Sequence, residues 1–544
     1  MNRRPSLRTL LLTSVSLACL GGTAGAQAEA GSLPHFIQKD GRHAFIVDGA
    51  PFLMLAGQCN NSSAWPDTLP GVWDAIERLH ANTLEAPVYW EQFEPEKGSY
   101  DPSIVDTMIR QAREHHVRLV LLWFGTWKNG SSHYMPLWMK AQPSLFPRII
   151  GKTGLSVDSP SPHAPATLEA DIRAFTALMH HLKVTDSLHT VVMVQVENES
   201  GAWNSIRDYS PAAQAIFGQP VPHELLDALG MAGGAGATWT AAFGVDADEF
   251  FHAWSVARFV GQVAAAGKAE YALPMYANAA LRDPISPGPA GTYESGGPTD
   301  NVLSIWKAAA PALDVLAPDI YVKDSGRYRR VLELYSRPDN PLFVPESGGA
   351  PWTARMFFAA LGKGAVGWAP FGIDRGRDGY VPIPGLNPGD DPLAPFAMNY
   401  RIVEPIMREV ARLNFEGKLQ AVAEEKDEHV QTMDFAGWKA VVSYGVRPFG
   451  PGSDPQGNPE AAGRALVAQV GADDFLVAGY SCRVDFHPSD PSSKAQREFI
   501  RVEEGTYDGG VFRPARIWNG DQTDYGLNLK ADENVLLKVT VTTF

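Results

Sequence analysis

The chain has 544 residues, 10% of them aromatic with 14 Trp, and a formal net charge of −15. That length is too great for one small domain. The acidic balance argues against a nucleic-acid backbone as partner, which needs a basic stripe, and is compatible with a neutral substrate.

In chain order, residues 1–26 read as an export signal. Arg3, Arg4 and Arg8 form a basic n-region, 10–20 is a short apolar run, and Ala24-Gly25-Ala26 is an A-x-A cleavage site. The run is too short to span a bilayer. The expectation is an exported protein, periplasmic or extracellular, with no membrane contact after cleavage. Cys59 and Cys482 remain in the mature chain, and two cysteines do not make a disulfide framework.

Candidate strands follow at 52–57, 83–89, 117–124, 190–197, 271–277, 315–321, 342–346 and 365–371. Helical patterns lie between them at 70–80, 103–115, 167–182, 250–266, 301–309 and 353–361. Near-continuous apolar strands alternating with helices predict a parallel sheet buried on both faces. Eight such repeats at this length predict a (β/α)8 TIM barrel over 34–414. An open doubly wound sheet is the alternative, weakened because no Gly-rich phosphate loop follows the first strand. Long connections at 126–166, 200–249 and 374–396 leave the C-terminal ends of strands three, four and eight, where barrel enzymes build their sites. The stretch 376–395 is rich in Pro and Gly. From 419 the texture changes to short β-type runs separated by turn signals, which predicts a β-sandwich over 419–544.

Two of the strand-like runs end abruptly on glutamate. VVMVQVENES carries Asn198 and Glu199, and PLFVPESGG carries Glu346. A carboxylate at the end of a buried strand is costly to desolvate. Strands four and seven of a barrel face each other across its mouth, so the two side chains converge. Paired carboxyls about 5–5.5 Å apart are the working parts of a retaining glycosidase, with one protonated and one ionised near neutral pH. Glu197 competes with Glu199, because neighbours two apart share a strand face. Glu294, in Tyr293-Glu294-Ser295-Gly296-Gly297, echoes the sequence around Glu346, but no apolar strand leads into it. It reads as a loop carboxylate at the rim.

Gln195-Val196-Glu197-Asn198-Glu199 resembles the Q-[IV]-E-N-E motif of glycoside hydrolase family 35, largely β-galactosidases. The segments 51–57, 82–90 and 94–101 resemble that family's first two strands and the loop that follows, and the likeness runs over about 40–375. The resemblance implies that Glu199 is the acid/base, Glu346 the nucleophile, and Asn198 a ligand of the sugar 2-hydroxyl. It also implies that Tyr321 hydrogen-bonds the nucleophile.

Trp90, Trp123, Trp127, Trp203, Trp352 and Trp368 lie at or just past strand ends as sugar-stacking candidates, and Tyr89, Trp127 and Trp368 are taken as substrate-binding. Departures concern recognition: Ala86-Pro87 stands for the family's Thr-Tyr, Thr126-Trp127-Lys128 for Glu-Trp-Asn, and Ser200 for an aromatic. The pairs His115-His116 and His180-His181 sit on predicted helices, where adjacent residues do not share a face. No metal and no cofactor are expected. The function these readings imply is an exported retaining exo-β-galactosidase that hydrolyses terminal β-galactosides of oligo- or polysaccharides by double displacement. The rivals are another clan A β-glycosidase (β-glucosidase, β-xylosidase or arabinosidase) and a catalytically dead carbohydrate-binding protein.

Overall fold

The computed structural model describes residues 32–231, 234, 236–374, 391–446 and 454–544. The export signal and most of 376–395 lie outside them. Among the described residues, no helix is long and apolar enough to cross a membrane.

Eight parallel strands close into a barrel: β1 (Met54–Gln58), β2 (Thr83–Tyr89), β3 (Arg118–Lys128), β4 (Val191–Asn198), β5 (Met275–Ala280), β6 (Val315–Ile320), β7 (Phe343–Ser347) and β8 (Gly367–Pro370). This is the fold class that the alternation predicts. Nearly every residue of β2 and β4 is buried, because helices cover the outside while side chains fill the inside. The covering helices are α1 (Leu69–Leu79), α2 (Ser103–Glu114), α3 (Pro165–Thr185), α4 (Ala247–Glu270), α5 (Leu303–Ala309), α6 (Ser325–Tyr335), α7 (Met356–Gly362), α8 (Ala394–Val403) and α9 (Met407–Phe415).

A small antiparallel sheet precedes the barrel, built from His35–Lys39, Arg42–Val47 and Ala50–Pro51. Its turns are Asp40-Gly41 and Asp48-Gly49, all four residues with positive φ. That is the Asp-Gly signature of tight hairpins. The expected strands begin only at residue 52, since short polar strands lack a long apolar run.

The C-terminal region forms a six-stranded and a four-stranded antiparallel sheet with a separate core that includes Trp438, Phe475, Phe486 and Trp518. Its first strand, Leu419–Ala423, lies against α7. Gly362 is where they touch, and a Cβ there would strike the Ala421 carbonyl. Polar contacts complete the seam. Arg464 Nε donates to Asn399 Oδ1 at 2.6 Å, Arg355 Nε to the Glu424 carbonyl at 3.0 Å, and Arg329 pairs with Glu425. The sheets therefore brace the helical wall behind β6–β8.

Candidate active site

The site is assembled where β4, β6 and β7 end. Glu346, buried near the end of β7, accepts hydrogen bonds from Tyr321 Oη at 2.7 Å, Gln58 Nε2 at 3.2 Å and Asn198 Nδ2 at 3.4 Å. These donors come from β1, the end of β4 and the residue just past β6, so only closure of the barrel brings them together. Glu199 lies one residue past β4. One carboxylate oxygen from each of Glu199, Asp319 and Glu346 falls within 4.8 Å of the others. This bound is compatible with the carboxyl spacing of about 5–5.5 Å found in retaining glycosidases.

Backbone strain separates Glu199 from Glu197. Glu197 has φ 65° and Glu199 φ 42°, left-handed values that cost about 1–3 kcal/mol each for non-glycine residues. The strand alternation that would place both on one face is broken there. Glu197 turns into the wall between β3 and α3, where its Oε2 accepts the Trp127 N–H at 2.7 Å. There it meets Asp171 of α3, which accepts from Trp123 Nε1 at 2.9 Å and Thr126 Oγ1 at 2.5 Å. Burial and the facing Asp171 charge push Glu197 well above the usual carboxylate range. Glu199 is instead held toward the mouth by its own N–H, which donates to Asn278 Oδ1 at 2.9 Å.

Burial, reinforced by the charge of Glu346, raises the Glu199 pKa to about 7, against the opposing pull of the Lys128 ammonium and a hydrogen bond to Asp319. Asp319 on β6 is itself pushed well above the carboxylate range by burial first, then by the charges of Glu346 and Glu199. Its Oδ2 accepts from Asn278 Nδ2 at 2.7 Å. Asn278 and Asp319 are small polar residues inside apolar strands, and no motif marks them in the sequence.

Lys128 is the other residue that sequence reasoning treats only as a departure. The β3–β4 register shifts between Trp123, paired with Val196, and Lys128, paired with Asn198. The irregularity carries Lys128 to the strand end. Its Nζ donates to Asn198 Oδ1 at 2.8 Å and to Asn129 Oδ1 at 2.6 Å. With its oxygen taken by the ammonium, Asn198 must present its amide N–H to Glu346.

Glu199, Asp319 and Glu346 are also the group of three metal-ligand-type side chains found among the described residues. The amide and hydroxyl donors aimed at Glu346 do not suit a cation cage, where every ligand oxygen must be free to face the ion.

Three expected substrate contacts require correction. Tyr89 is buried, accepts the Ala64 N–H at 3.1 Å, and is enclosed by Trp65 and Tyr134 with ring centroids at 5.5 and 5.3 Å. Trp127 packs edge-on against Phe259 of α4 at 4.8 Å. Trp368 stacks on Phe396 of α8 and donates its Nε1 to Tyr328 Oη of α6 at 3.0 Å. Trp127 and Trp368 point outward into the helical layer, as alternate strand residues must, and Trp90 and Trp123 are likewise fully buried. Exposed aromatics include Trp65, 43%, Trp203, 42%, and Tyr321, 48%; Trp352 is partly buried. Glu294 is not at an open rim but buried beside Glu199.

A family model described as a domain of unknown function, DUF5597, matches residues 396–530, which takes in α8, the seam and most of the C-terminal sheets. Over 184 residues the chain is 26% identical to a β-galactosidase of Xanthomonas manihotis, covering 32% of this chain and 28% of that protein. Among solved structures, the β-galactosidase of Rahnella sp. R3 matches with a TM-score of 0.49 at 16% identity, over 69% of this chain and 59% of that one. The β-galactosidase of Bacillus circulans sp. alkalophilus matches with a TM-score of 0.48 at 14% identity, over 66% and 57%. The exo-β-1,4-mannosidase Op5Man5 of Opitutaceae bacterium strain TAV5 gives 0.43 at 16%, over 69% and 63%. The chain thus spans little more than a quarter of the curated relative's length, 28%, and less than two thirds of each of these solved chains.

Proposed function

We propose that the protein is a retaining glycoside hydrolase, an exported exo-β-galactosidase working by double displacement. The observation that carries this reading is the carboxyl pair at the ends of β4 and β7, with oxygens within 4.8 Å and one member protonated up to about pH 7. Glu346 attacks the anomeric carbon as its carboxylate while Glu199 gives its proton to the glycosidic oxygen. Glu199, now a base, takes a proton from water. That water attacks the same carbon and displaces Glu346. Asn198, oriented by Lys128, is placed to hold the hydroxyl next to the reacting carbon, and Asp319 lies beside both carboxyls, where its hydrogen bond favours Glu199 in its ionised, base form. Export rests on the residues of the leader.

The galactose preference is supported by the 195–199 motif and by the partial match to the Xanthomonas manihotis β-galactosidase. A second specificity, for another equatorial β-glycoside such as glucose or xylose, is favoured by one observation. Ala86 and Pro87 on β2 carry no polar side-chain group to meet a sugar hydroxyl, and both are buried. A panel of 4-nitrophenyl β-glycosides separates the two, and proton NMR of the first product reports the anomer. Release of β-anomer from the galactoside is expected; α-anomer, or no hydrolysis of any member, would overturn the mechanism.

The acid role of Glu199 sets the pH profile. With its pKa raised to about 7, kcat/KM is expected to fall roughly tenfold per pH unit above that value, as the proton donor is lost. Lys128→Met removes the charge that favours ionised Glu199, so the alkaline limb moves to higher pH. It also frees the Asn198 amide, lowering kcat by roughly 10- to 100-fold. A limb that stays in place in the Met variant would remove Lys128 from the site's electrostatics.

A further inference from the structure

A buried acid pair behind the site takes no part in the steps above: Glu197 at the end of β4 and Asp171 on α3, 1% and 0% exposed. The pair lies where β3 is irregular. Trp123 pairs with Val196 and Lys128 with Asn198. From 123 to 128 β3 takes five steps, while from 196 to 198 β4 takes two. The extra residues of β3 must bulge out of the ladder, and a bulge re-aims the side chains that follow it.

The bulge is folded around the acid pair. Glu197 Oε2 accepts the Trp127 N–H at 2.7 Å. Asp171 accepts from Trp123 Nε1 at 2.9 Å and from Thr126 Oγ1 at 2.5 Å, one on each carboxyl oxygen. Gly125 supplies the room, since a Cβ there would strike Trp123 Nε1 and come within 2.8 Å of Glu197 Oε1. Three consecutive bulge residues, Gly125, Thr126 and Trp127, therefore depend on the pair. An apolar side chain in place of Glu197 would fill its volume but leave the Trp127 N–H without an acceptor, at a cost.

Both ends of the bulge lead to the reacting groups. Lys128 follows it directly, donates to Asn198 Oδ1 at 2.8 Å, and favours ionised Glu199. The next two N–H groups, of Asn129 and Gly130, donate to the Asn198 and Glu199 carbonyls at 3.2 and 2.8 Å. On β4, the left-handed φ of 65° at Glu197 puts its own carboxyl in the wall and Glu199, two residues on, at the mouth.

We propose that Glu197, backed by Asp171, is a positioning residue that pins the β3 bulge and so sets where Lys128 and Glu199 stand. It touches no substrate and acts through those two groups. This inference rests on the glycosidase reading and adds the wall residues that tune its acid/base.

The test follows kcat, KM and the pH profile on 4-nitrophenyl β-galactoside, with thermal melts. The variants are Glu197→Leu, Glu197→Gln, Lys128→Met and the Leu/Met double variant. In Glu197→Leu kcat is expected to fall about 100-fold, the scale of a misplacement of about 1 Å, with KM within about threefold of wild type. The alkaline limb moves to higher pH as the Lys128 charge draws away from Glu199. Glu197→Gln still accepts from Trp127 and turns its amide nitrogen to Asp171, so it keeps kcat within about threefold and the limb in place. The double variant moves the limb no further than Lys128→Met alone, because both changes act through one charge. A folded Glu197→Leu with wild-type kcat and limb, a Gln variant as slow as the Leu variant, or limb shifts that add in full overturns the proposal. If Glu197→Leu does not fold, Asp171→Asn decides, since its single carbonyl oxygen cannot serve Trp123 and Thr126 on both sides. A raised limb there supports the proposal and an unmoved one overturns it. If wild type hydrolyses no glycoside, the glycosidase reading falls by itself. The Glu199 carboxyl carbon, assigned in NMR spectra by its absence from Glu199→Gln, then reads the positioning alone. A titration midpoint raised in Glu197→Leu or Asp171→Asn supports it, and an unmoved midpoint overturns it.

Discussion

Glu346→Gln is expected to abolish turnover, with kcat reduced by a factor on the order of 10⁴ or more, the scale of losing a nucleophile. The amide has the shape of the carboxyl but no charge with which to attack carbon. Three donors, from Tyr321, Gln58 and Asn198, now converge on the carboxylate, and an amide can accept from only one side, so part of this network is lost as well. The fold should survive, because the barrel core is built from apolar strand residues around the site and not from Glu346. The measurement is the single-turnover rate with an activated aryl β-galactoside, beside a thermal melt. A folded Glu346→Gln protein with near-wild-type rates would remove Glu346 from the chemistry.

Glu199→Ala is expected to lose activity by roughly 10²–10⁴-fold, the range for a positioned acid/base, and to regain it with azide. Truncation leaves a space beside the anomeric carbon into which a small anion fits. Azide needs no general base, so it can intercept the glycosyl-enzyme formed on Glu346, giving a β-glycosyl azide. Absence of rescue, or of that product, would argue that Glu199 does not activate the second nucleophile. A stability readout accompanies it in the isosteric variant. The pKa of Glu199 is about 7 in the folded chain and about 4.3 in an unfolded one. The folded state therefore holds the proton more tightly. The stability this contributes is complete below about pH 4.3 and is lost as pH rises through about 7. Glu199→Gln, which has no proton to lose, is expected to melt above wild type at pH 8, with the gap closing toward pH 5. Such a gap is the signature of a site held at the expense of stability.

Much of the barrel can be read along the chain, because its cause is local. Strands buried on both faces must be apolar almost throughout, and runs such as 191–196 and 342–345 say so without reference to any neighbour. The two glutamates stand out for the same reason: each interrupts such a run, and a charge at that place is costly unless it has a use. Asn198 beside Glu199 narrows the choice further through family likeness.

The rest depends on contacts between distant segments. Which way a strand-end side chain points is a backbone matter. The left-handed φ at Glu197 and Glu199 sends the first into the wall and the second into the mouth, and no composition rule announces it. Trp127 and Trp368 look like sugar platforms by position, yet alternation along their strands turns both toward helices. Of the six Trp candidates, Trp203 is the one left exposed, and Trp65, which no pattern marks, is exposed to a similar degree. Asp319, Asn278 and Lys128 acquire their roles only when β3–β6 lie side by side, since a carboxylate held by a facing amide and an amide oriented by an ammonium are properties of distances below about 3 Å. Glu294 shows the same limit: its sequence context is that of an exposed loop, and only the fold buries it. Apolar periodicity acts over neighbouring residues and survives in one dimension, whereas hydrogen bonding and charge coupling act across the barrel and exist only once it has closed.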